Sequence, residues 1–304
     1  MKKPAPVRHR LELGVYLLIK GILRALPHGA ARALGASLGS LFHRLDRRHR
    51  EVAAANLALA LPELSAEERR HLVAACFRHF GGALCDSISS SRFDLEELCR
   101  RLTYEGWEHL DEAARAGKGI FVLGSHLGYW EMAALPIGIY KSPLHVIVRP
   151  ADNPFLEREL AGLRERFGNR TLPKQGAARK MLQAVRAGGW AGILIDQRVQ
   201  PKEAIEVPFF GHPALTTPVL ARLSLRTGAP VVPIFAFPEP HGRYRFVARP
   251  PIFPPERPAA GESEDQTVLD LTRRYLETAE AEIRRHPEQW LWMHRRWESV
   301  RRDH

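Results

Sequence analysis

A histidine followed five residues later by a glutamate is the pair of side chains in this sequence best suited to acid–base chemistry. His126 comes directly after a continuous apolar run at 120–123 and a Gly-Ser turn, and Glu131 falls in the first turns of the next helical pattern. Spacing alone is a weak signal, because 14 histidines and 34 acidic residues produce such pairs by chance. The position at the end of a predicted strand favours a site, since open α/β sheets bind their ligands at that edge.

The chemistry that such a pair can perform is removal of a proton from an attacking alcohol. A neutral imidazole suits that task near physiological pH. A carboxylate bonded to its other ring nitrogen would fix the tautomer and stabilise the imidazolium. We therefore expect His126 to act as a general base and Glu131 as its partner. From the residues alone, a histidine that caps a helix or is satisfied in the core remains an equal alternative.

The elements that must position this pair follow from the periodicity of the chain after Thr103. Short, continuous apolar runs bounded by Gly, Pro or charge predict buried strands at 120–123, 144–148, 191–195 and 230–237. Helical patterns at 128–140, 154–167, 177–187 and 217–227 separate them, and a final helix covers 264–285. The alternation predicts an α/β fold with a mixed, largely parallel sheet that helices flank on both faces.

The first hundred residues have helical spacing throughout and are expected to form an N-terminal, membrane-associated helical region. Ser65 and Glu68 form a capping-box pattern at the start of one of its helices. The segment Gly35-Ala-Ser37-Leu-Gly39 matches a hydrolase nucleophile motif, but it lies inside a helical stretch. A face of small residues for close helix packing is the favoured interpretation. We expect residues 1–100 and the catalytic region 101–304 to form one continuous unit.

Positive charge is concentrated at the beginning of the chain. The formal charge is +11, and residues 1–50 contain eleven Lys and Arg against two acidic residues. The basic group Arg44, Arg47, Arg48 and Arg50 follows an apolar stretch at 30–42 rather than stacking aromatics, which favours an anionic membrane surface over nucleic acid. No apolar run reaches the ~18–20 residues of a spanning helix. The helix at 11–26 is expected to lie at the interface, or to insert if Lys20 and Arg24 snorkel.

The cysteines and the known binding motifs exclude several other classes of protein. Cys76, Cys85 and Cys99 have no metal-type spacing and no even count for a disulfide framework, which indicates a reducing compartment. No metal-binding or nucleotide-binding pattern is present, so no cofactor is expected.

Several short motifs, in their order and spacing over nearly the whole chain, resemble the lysophospholipid acyltransferase superfamily. The resemblance is specifically to its branch of late lipid A acyltransferases, which transfer lauroyl and myristoyl groups. The matching blocks are residues 56–64, His126 to Glu131, Val148-Arg149-Pro150 with Asn153-Pro154, Asp196-Gln197, 207–213 with 216–218, Val232-Pro233, and 286–297.

The resemblance implies an acyl thioester donor, either acyl–acyl-carrier protein or acyl-CoA, and an anionic membrane lipid acceptor. A lipid A precursor is the first choice; a lysophospholipid, a glycosylated phosphoinositide or an aminolipid would need the same chemistry. It also implies the cytoplasmic face of a bacterial inner membrane, with membrane association or a single N-terminal anchor. A catalytically silent membrane-binding protein of the same fold is the alternative from another class.

The resemblance also assigns substrate-binding residues outside the histidine motif. Arg149 is expected to bind acceptor phosphate, with an ordinary surface ion pair as its alternative. Asp196 follows a strand and is expected to orient the reacting groups, and backbone amides near its block are a candidate oxyanion site. Further expectations concern the remaining block residues: Asn153 and Gln197 as substrate ligands; Phe209, Phe210 and Gly211 as the acyl groove or an apolar strand end; and Trp290, Trp292 and Trp297 at the lipid headgroups or in the core.

Overall fold

A central sheet carries the candidate site residues. The computed structural model describes residues 7–141, 143–148 and 150–298. Its strands are β1 (Leu102–Glu105), β2 (Ile120–Gly124), β3 (Leu144–Val148), β4 (Arg170–Pro173), β5 (Trp190–Leu194), β6 (Ile205–Phe209), β7 (His212–Thr216), β8 (Val231–Glu239) and β9 (Arg243–Ala248).

Seven of these strands form the sheet, in the order β1-β9-β8-β2-β5-β3-β4. The five strands from β8 to β4 are mutually parallel, and β9 runs antiparallel to β8 through a tight connection. Strand β1 pairs parallel to β9 at the edge. Strands β6 and β7 form a separate antiparallel hairpin. The class predicted from the sequence, a mixed and largely parallel α/β sheet, is confirmed.

Helices surround the sheet. They are α1 (Val7–Ala25), α2 (His28–Leu45), α3 (Arg47–Ala60), α4 (Ala66–Ser89), α5 (Leu95–Arg101), α6 (Glu108–Ala114), α7 (Trp130–Ala133), α8 (Leu135–Tyr140), α9 (Pro154–Glu165), α10 (Ala177–Arg186), α11 (Val219–Thr227) and α12 (Glu264–Arg285). Alternate residues of β2 belong to different core clusters: Phe121 and Leu123 to one, Ile120 and Val122 to another. Because successive strand residues point to opposite faces, both faces of the sheet are covered.

The N-terminal region is helical, as predicted, and its local signals act as expected. Ser65 caps α4 and receives the return hydrogen bond from Glu68, which forms the complete capping box. Gly35 and Gly39 of α2 lie against the backbone of α4, where an added Cβ would stand 2.3 Å from the Gly81 carbonyl oxygen and 2.1 Å from that of Phe77, respectively. The small residues therefore allow close helix packing. None of the helices in the described residues combines the length and the apolar character needed to cross a membrane.

Several boundaries differ from those that the sequence pattern predicted. The four predicted strands are present to within two residues at each end, but β1, β4, β9 and the β6–β7 hairpin are additional. The predicted helix at 128–140 begins later and is divided into α7 and α8, because Pro136 lies in the first turn of the second helix and supplies no backbone N–H. The short strands were missed because runs of four to six mixed residues carry little periodicity.

Candidate active site

The centre of the sheet brings His126 and Asp196 together. Strands β2 and β5 are adjacent and parallel, and Gly124 pairs with Leu194 at the last position of both. His126 and Asp196 each follow two residues later, so they leave the sheet at the same edge. The His126 Nδ1–H donates to Asp196 Oδ1 at 2.9 Å. This carboxyl edge of parallel strands is where α/β sheets hold their ligands.

The carboxylate of Asp196 is buried and accepts four hydrogen bonds. Besides the imidazole, the donors are the Ser125 hydroxyl, the His126 backbone N–H and the Trp290 indole N–H, and each lies 2.8 Å from Oδ2. The side chain of Asp196 is 1% exposed, and such a buried charge is stable only when it is fully bonded. The four donors fix the carboxylate, which in turn fixes the orientation and tautomer of the histidine ring.

The same contacts shift the pKa values of both groups. Burial lowers the pKa of His126, but the charge and hydrogen bond of Asp196, followed by the charge of Glu131, outweigh it and raise the pKa above 6.5. Burial raises the pKa of Asp196, whereas His126 and the hydrogen bonds from Trp290 and Ser125 bring it well below its usual range. Asp196 is therefore ionised, and the imidazole binds a proton more readily than an ordinary histidine does.

Glu131 does not make the contact that the sequence predicted for it. Its two oxygens accept from Arg164 on α9, with Nε–Oε2 at 2.9 Å and Nη2–Oε1 at 2.8 Å. The carboxylate bonded to the ring nitrogen of His126 is that of Asp196. The expectation of a Glu131 hydrogen bond is thus corrected: α7 starts only at Trp130, and from there Glu131 faces α9. The catalytic roles of His126 and Glu131 stay predictions.

The loop at 125–129 is held by backbone contacts from two directions. Tyr129 N–H donates to the Ala236 carbonyl at 2.7 Å, and Gly128 N–H donates to the Gln289 carbonyl at 2.9 Å. Leu291 N–H donates to the His126 carbonyl at 3.2 Å. Gly128 has φ +62°, and a Cβ there would stand 2.1 Å from the Ala236 carbonyl oxygen, so only glycine fits. Strand β8 and the segment 286–297 together fix where the histidine lies.

An apolar cavity of about 250 Å³ opens beside His126. Its polar lining includes Glu131 and Arg164. Most of its strand residues alternate in sequence, which places them on one face of the sheet, here called the floor; Ile147 and Ile193 line it as well. The floor residues are Val122, Gly124, Leu144, Val146, Val148, Gly192, Leu194 and Ile234. The cavity is therefore lined by the His126 imidazole, the Glu131–Arg164 ion pair and an apolar surface along the sheet.

The predicted acceptor-binding residues have different positions. Arg149 lies outside the described residues. Asn153 is buried and caps α9, where its side chain accepts from the first-turn amides. Its amide group donates to the His9 carbonyl and to Glu12 Oε2, both at 2.9 Å, which ties α9 to α1. The expected ligand role of Asn153 is therefore replaced by a structural contact. Gln197 is partly exposed directly after Asp196.

The aromatic block belongs to the core. Phe209 and Phe210 are 1% and 5% exposed and pack on a cluster of three tryptophans: Trp290, Trp292 and Trp297. Phe210 and Gly211 occupy the turn between β6 and β7, with φ values of +52° and +74°. None of the three block residues is among those lining the cavity. The alternative interpretations, an apolar strand end and buried tryptophans, describe these residues, whereas the groove-lining assignment does not.

Two residues of the site were not predicted for their roles. In the sequence, Arg164 is one of several charged residues on a predicted helix, and no local pattern distinguishes it from the others. Trp290 was expected either at headgroups or in the core, and its hydrogen bond to Asp196 spans 94 positions in the chain. The one useful signal was the place of Asp196 directly after a predicted strand, which is also where His126 stands.

The chain is similar to known proteins over almost all of its length. The sequence model of a family described as bacterial lipid A biosynthesis acyltransferase matches residues 3–299. A lipid A biosynthesis lauroyltransferase of Escherichia coli is 27% identical over 95% of this chain and 90% of its own length. A lipid A biosynthesis palmitoleoyltransferase of the same species is 27% identical over 90% and 87%. A phosphatidylinositol mannoside acyltransferase of Mycobacterium tuberculosis is 24% identical over 90% and 85%.

Proposed function

Because the chain belongs to the bacterial lipid A biosynthesis acyltransferase family and is an acyltransferase, we propose that it acylates a hydroxyl of a lipid A precursor. The donor is an acyl thioester, with acyl–acyl-carrier protein preferred over acyl-CoA. One observation carries the proposal: His126, bonded to the buried Asp196 carboxylate, stands in the wall of an apolar cavity on the face of the sheet.

The proposed reaction is direct transfer without an acyl-enzyme. Nδ1 of His126 donates to Asp196, which leaves Nε2 to accept the proton of the attacking hydroxyl. The oxygen forms a bond to the thioester carbonyl carbon, and the resulting oxyanion collapses as the carbon–sulfur bond breaks. The thiolate leaves with the proton that the imidazolium returns. Asp196 stabilises the imidazolium while it exists.

We assign to the Glu131–Arg164 ion pair the role of stabilising the negative charge that develops on the carbonyl oxygen. Arg164 is a rigid, permanently charged donor, and it lines the same cavity as His126. Its bidentate contact with Glu131 keeps the guanidinium at one place in the wall. Glu131 therefore stays in the proposed mechanism, through Arg164 rather than through the imidazole ring. Backbone amides near Asp196 remain a second candidate for oxyanion binding.

The acyl chain is assigned to the apolar part of the cavity, because burial of methylene groups favours binding by about 0.8 kcal/mol each. The reacting carbonyl then lies near His126, and the tail lies along the sheet. In this arrangement the polar groups that react and the apolar surface that binds the acyl chain lie in different parts of one cavity.

The lipid acceptor is proposed to reach the protein from a membrane surface. Helices α1 and α2 each carry a stripe of exposed, large apolar residues at the spacing of one helix face: Leu11, Val15, Leu18 and Ile22 in α1, and Leu34, Leu38, Leu41 and Leu45 in α2. Arg44 and Arg48 are exposed at the end of the second stripe. Apolar residues beside cations are typical of binding to anionic bilayers. We propose association with the cytoplasmic face of a bacterial inner membrane.

A glycosylated phosphoinositide is the second candidate acceptor. It is supported by the similarity to a phosphatidylinositol mannoside acyltransferase, which covers about the same share of both chains as the lipid A relatives do. Both acceptors present a hydroxyl on a glycolipid to the same base. Lipid mass spectrometry of cells lacking the protein distinguishes them, because the acceptor that loses an acyl chain is identified directly.

The function is tested by replacing the proposed base. Purified protein is incubated with labelled acyl–acyl-carrier protein and a lipid A precursor in mixed micelles, and the product is measured by mass spectrometry. We expect His126→Ala to lower the rate by about 10²- to 10⁴-fold, the usual contribution of a general base. His71→Ala is the matched control, because His71 is an exposed histidine on α4 and is not among the residues lining the cavity beside His126. Equal rates for the His126 variant and the wild type would refute the proposed site.

A further inference from the structure

A second cluster of hydrogen-bonded, ionisable side chains lies buried beside the loop that carries His126. Asp86 of α4 is 1% exposed, and its Oδ1 lies 2.7 Å from His28 Nε2 at the start of α2. The Tyr244 hydroxyl on β9 donates to Asp86 Oδ2 at 3.1 Å and lies 3.0 Å from His28 Nε2. The Tyr129 side chain also lies close enough to Asp86 for this carboxylate to raise the pKa of its hydroxyl, and its ring lies beside that of Tyr244. One carboxylate thus joins α2, α4, the sheet and the loop.

Tyr129 connects this cluster directly to the proposed base. It is the last residue of the loop at 125–129, and its own backbone N–H donates to the Ala236 carbonyl at 2.7 Å. Its ring lies 5.7 Å from the rings of both Tyr244 and His79. His79 in turn contacts the Gly128 carbonyl at 3.3 Å. Displacement of the Tyr129 side chain would therefore move the backbone on which His126 stands.

Packing alone does not account for a carboxylate at this place. A buried charge costs more than it returns unless it is bonded on all sides, and apolar residues of similar volume are often as stable or more so. Burial, followed by the charge of Asp86, raises the pKa of both Tyr129 and Tyr244. Both hydroxyls therefore remain protonated, and that of Tyr244 donates to Asp86. Asp86 Oδ1 lies 2.7 Å from His28 Nε2 but accepts no hydrogen bond among the described residues, so this carboxylate is not fully bonded. Its place between Tyr244, Tyr129 and His28 is better explained by positioning than by stability.

We propose that Asp86 is a positioning residue for the reaction, which holds the loop of His126 in place through the Tyr129 hydroxyl. The proposal rests on the proposed function of His126. It also makes the loop geometry depend on the position of α2, since Nε2 of His28, its first residue, lies 2.7 Å from the same carboxylate.

The test compares Tyr129→Phe with Tyr275→Phe, because each removes one buried hydroxyl and keeps the ring. Tyr275 is fully buried in α12 and is not a member of the Asp86 cluster. Acyl transfer is measured for kcat and KM separately, and thermal unfolding gives the folded fraction. We expect Tyr129→Phe to lower kcat by about 10- to 100-fold with KM unchanged, because a displaced base costs rate rather than binding. Tyr275→Phe keeps the wild-type kcat.

A second measurement separates this proposal from the proposed function. Amide hydrogen exchange of residues 126–129 is compared among the wild type, Tyr129→Phe and Asp86→Asn, and we expect exchange to be at least about tenfold faster in both variants. Unchanged kcat in Tyr129→Phe, or a kcat reduced only in proportion to the folded fraction, would overturn the positioning role. A wild type without acyl transfer would refute the proposed function, whereas unchanged exchange in the variants would refute only the role of Asp86.

Discussion

At the scale of single residues, Asp196 organises the proposed site. It bonds to the ring of His126 through one oxygen and to the backbone N–H of the same residue through the other. The ring and the backbone that carries it are therefore oriented by a single carboxylate. Trp290 and Ser125 complete its hydrogen bonds and keep it charged although it is buried. The base is fixed before any substrate enters, which reduces the reorganisation needed during the reaction.

The raised pKa of His126 predicts a pH dependence. The base acts when neutral, so the rate of the wild type falls as pH decreases through a value above 6.5. In Asp196→Asn the charge and the ionic hydrogen bond are lost and burial dominates, so the pKa decreases and the rising limb of kcat/KM moves to lower pH. The maximal rate falls by about 10²- to 10⁴-fold. Rates measured between about pH 5 and 9 provide the test, and a limb that stays at the wild-type pH would contradict it.

At the scale of elements, the meeting of two strand ends creates the site, and this explains what the sequence could predict. The runs at 120–123 and 191–195 indicated strands, and the site candidates His126 and Asp196 were chosen because they follow these runs. The pairing of β2 with β5 could not be predicted from the sequence, because β3 and β4 lie between them in the chain and no local pattern encodes strand order. His126 was therefore assigned the acid nearest in sequence, Glu131, rather than Asp196. Phe209 and Phe210 show a similar limit, since groove walls and core strands have the same composition.

The close approach of α2 and α4 predicts a stability difference between two glycine substitutions. An added Cβ at Gly39 would stand 2.1 Å from the Phe77 carbonyl oxygen, whereas one at Gly21 in α1 meets nothing within 4 Å. We expect Gly39→Ala to lower the free energy of unfolding by about 1–3 kcal/mol because the helices must separate. Gly21→Ala is the control and should be neutral or stabilising by up to about 1 kcal/mol. Denaturant unfolding measures both, and equal values would argue against the packing.

The floor of the cavity predicts selection of acyl-chain length. Val146 lines the cavity on β3, and a phenylalanine there would fill part of the space along the sheet. We expect Val146→Phe to shift the preferred donor to a shorter acyl chain. Each methylene that no longer fits in the cavity should weaken donor binding by about 0.8 kcal/mol. Val219→Phe is the matched control, because Val219 packs on the core in α11 and is not among the residues lining the cavity. Competition between acyl thioesters of several lengths measures the shift. An unchanged preference for acyl-chain length in the Val146 variant would refute the assignment of the acyl chain to this cavity.

At the scale of the whole molecule, charge and apolar surface are concentrated on the helical region that precedes the sheet. Residues 1–50 carry a net charge of +9, out of +11 for the chain. The same region holds most of the exposed, large apolar side chains. Contiguous apolar surface of this kind marks an interaction site on a folded protein. Helix α1 also contacts α9, which carries Arg164, through the ion pair between Lys20 and Glu159 at 2.7 Å. A bound lipid surface would thus be one helix away from the proposed oxyanion site.

The proposed lipid surface predicts that acidic residues in place of exposed apolar side chains of α2 prevent membrane binding. We expect the double variant Leu38→Glu with Phe42→Glu to bind phosphatidylglycerol vesicles at least about tenfold more weakly than the wild type, because acids oppose both insertion and anionic headgroups. Co-sedimentation measures the binding. The control is Leu95→Glu with Phe253→Glu, a pair of comparable exposure outside α1 and α2: 47% and 43% against 42% and 60%. Equal binding by both double variants would exclude this face as the membrane contact.

The contacts between the segment 286–297 and the His126 loop have a consequence for when activity begins. The Gln289 carbonyl accepts a hydrogen bond from Gly128 N–H. The Trp290 indole N–H donates to Asp196, and the Leu291 N–H donates to the His126 carbonyl. A nascent chain translated only as far as α12 already contains both the histidine and the aspartate, yet it lacks these contacts. Ribosome-bound intermediates and proteolytic fragments that lack this segment should therefore be catalytically incompetent. Such incomplete copies would then not consume acyl donors.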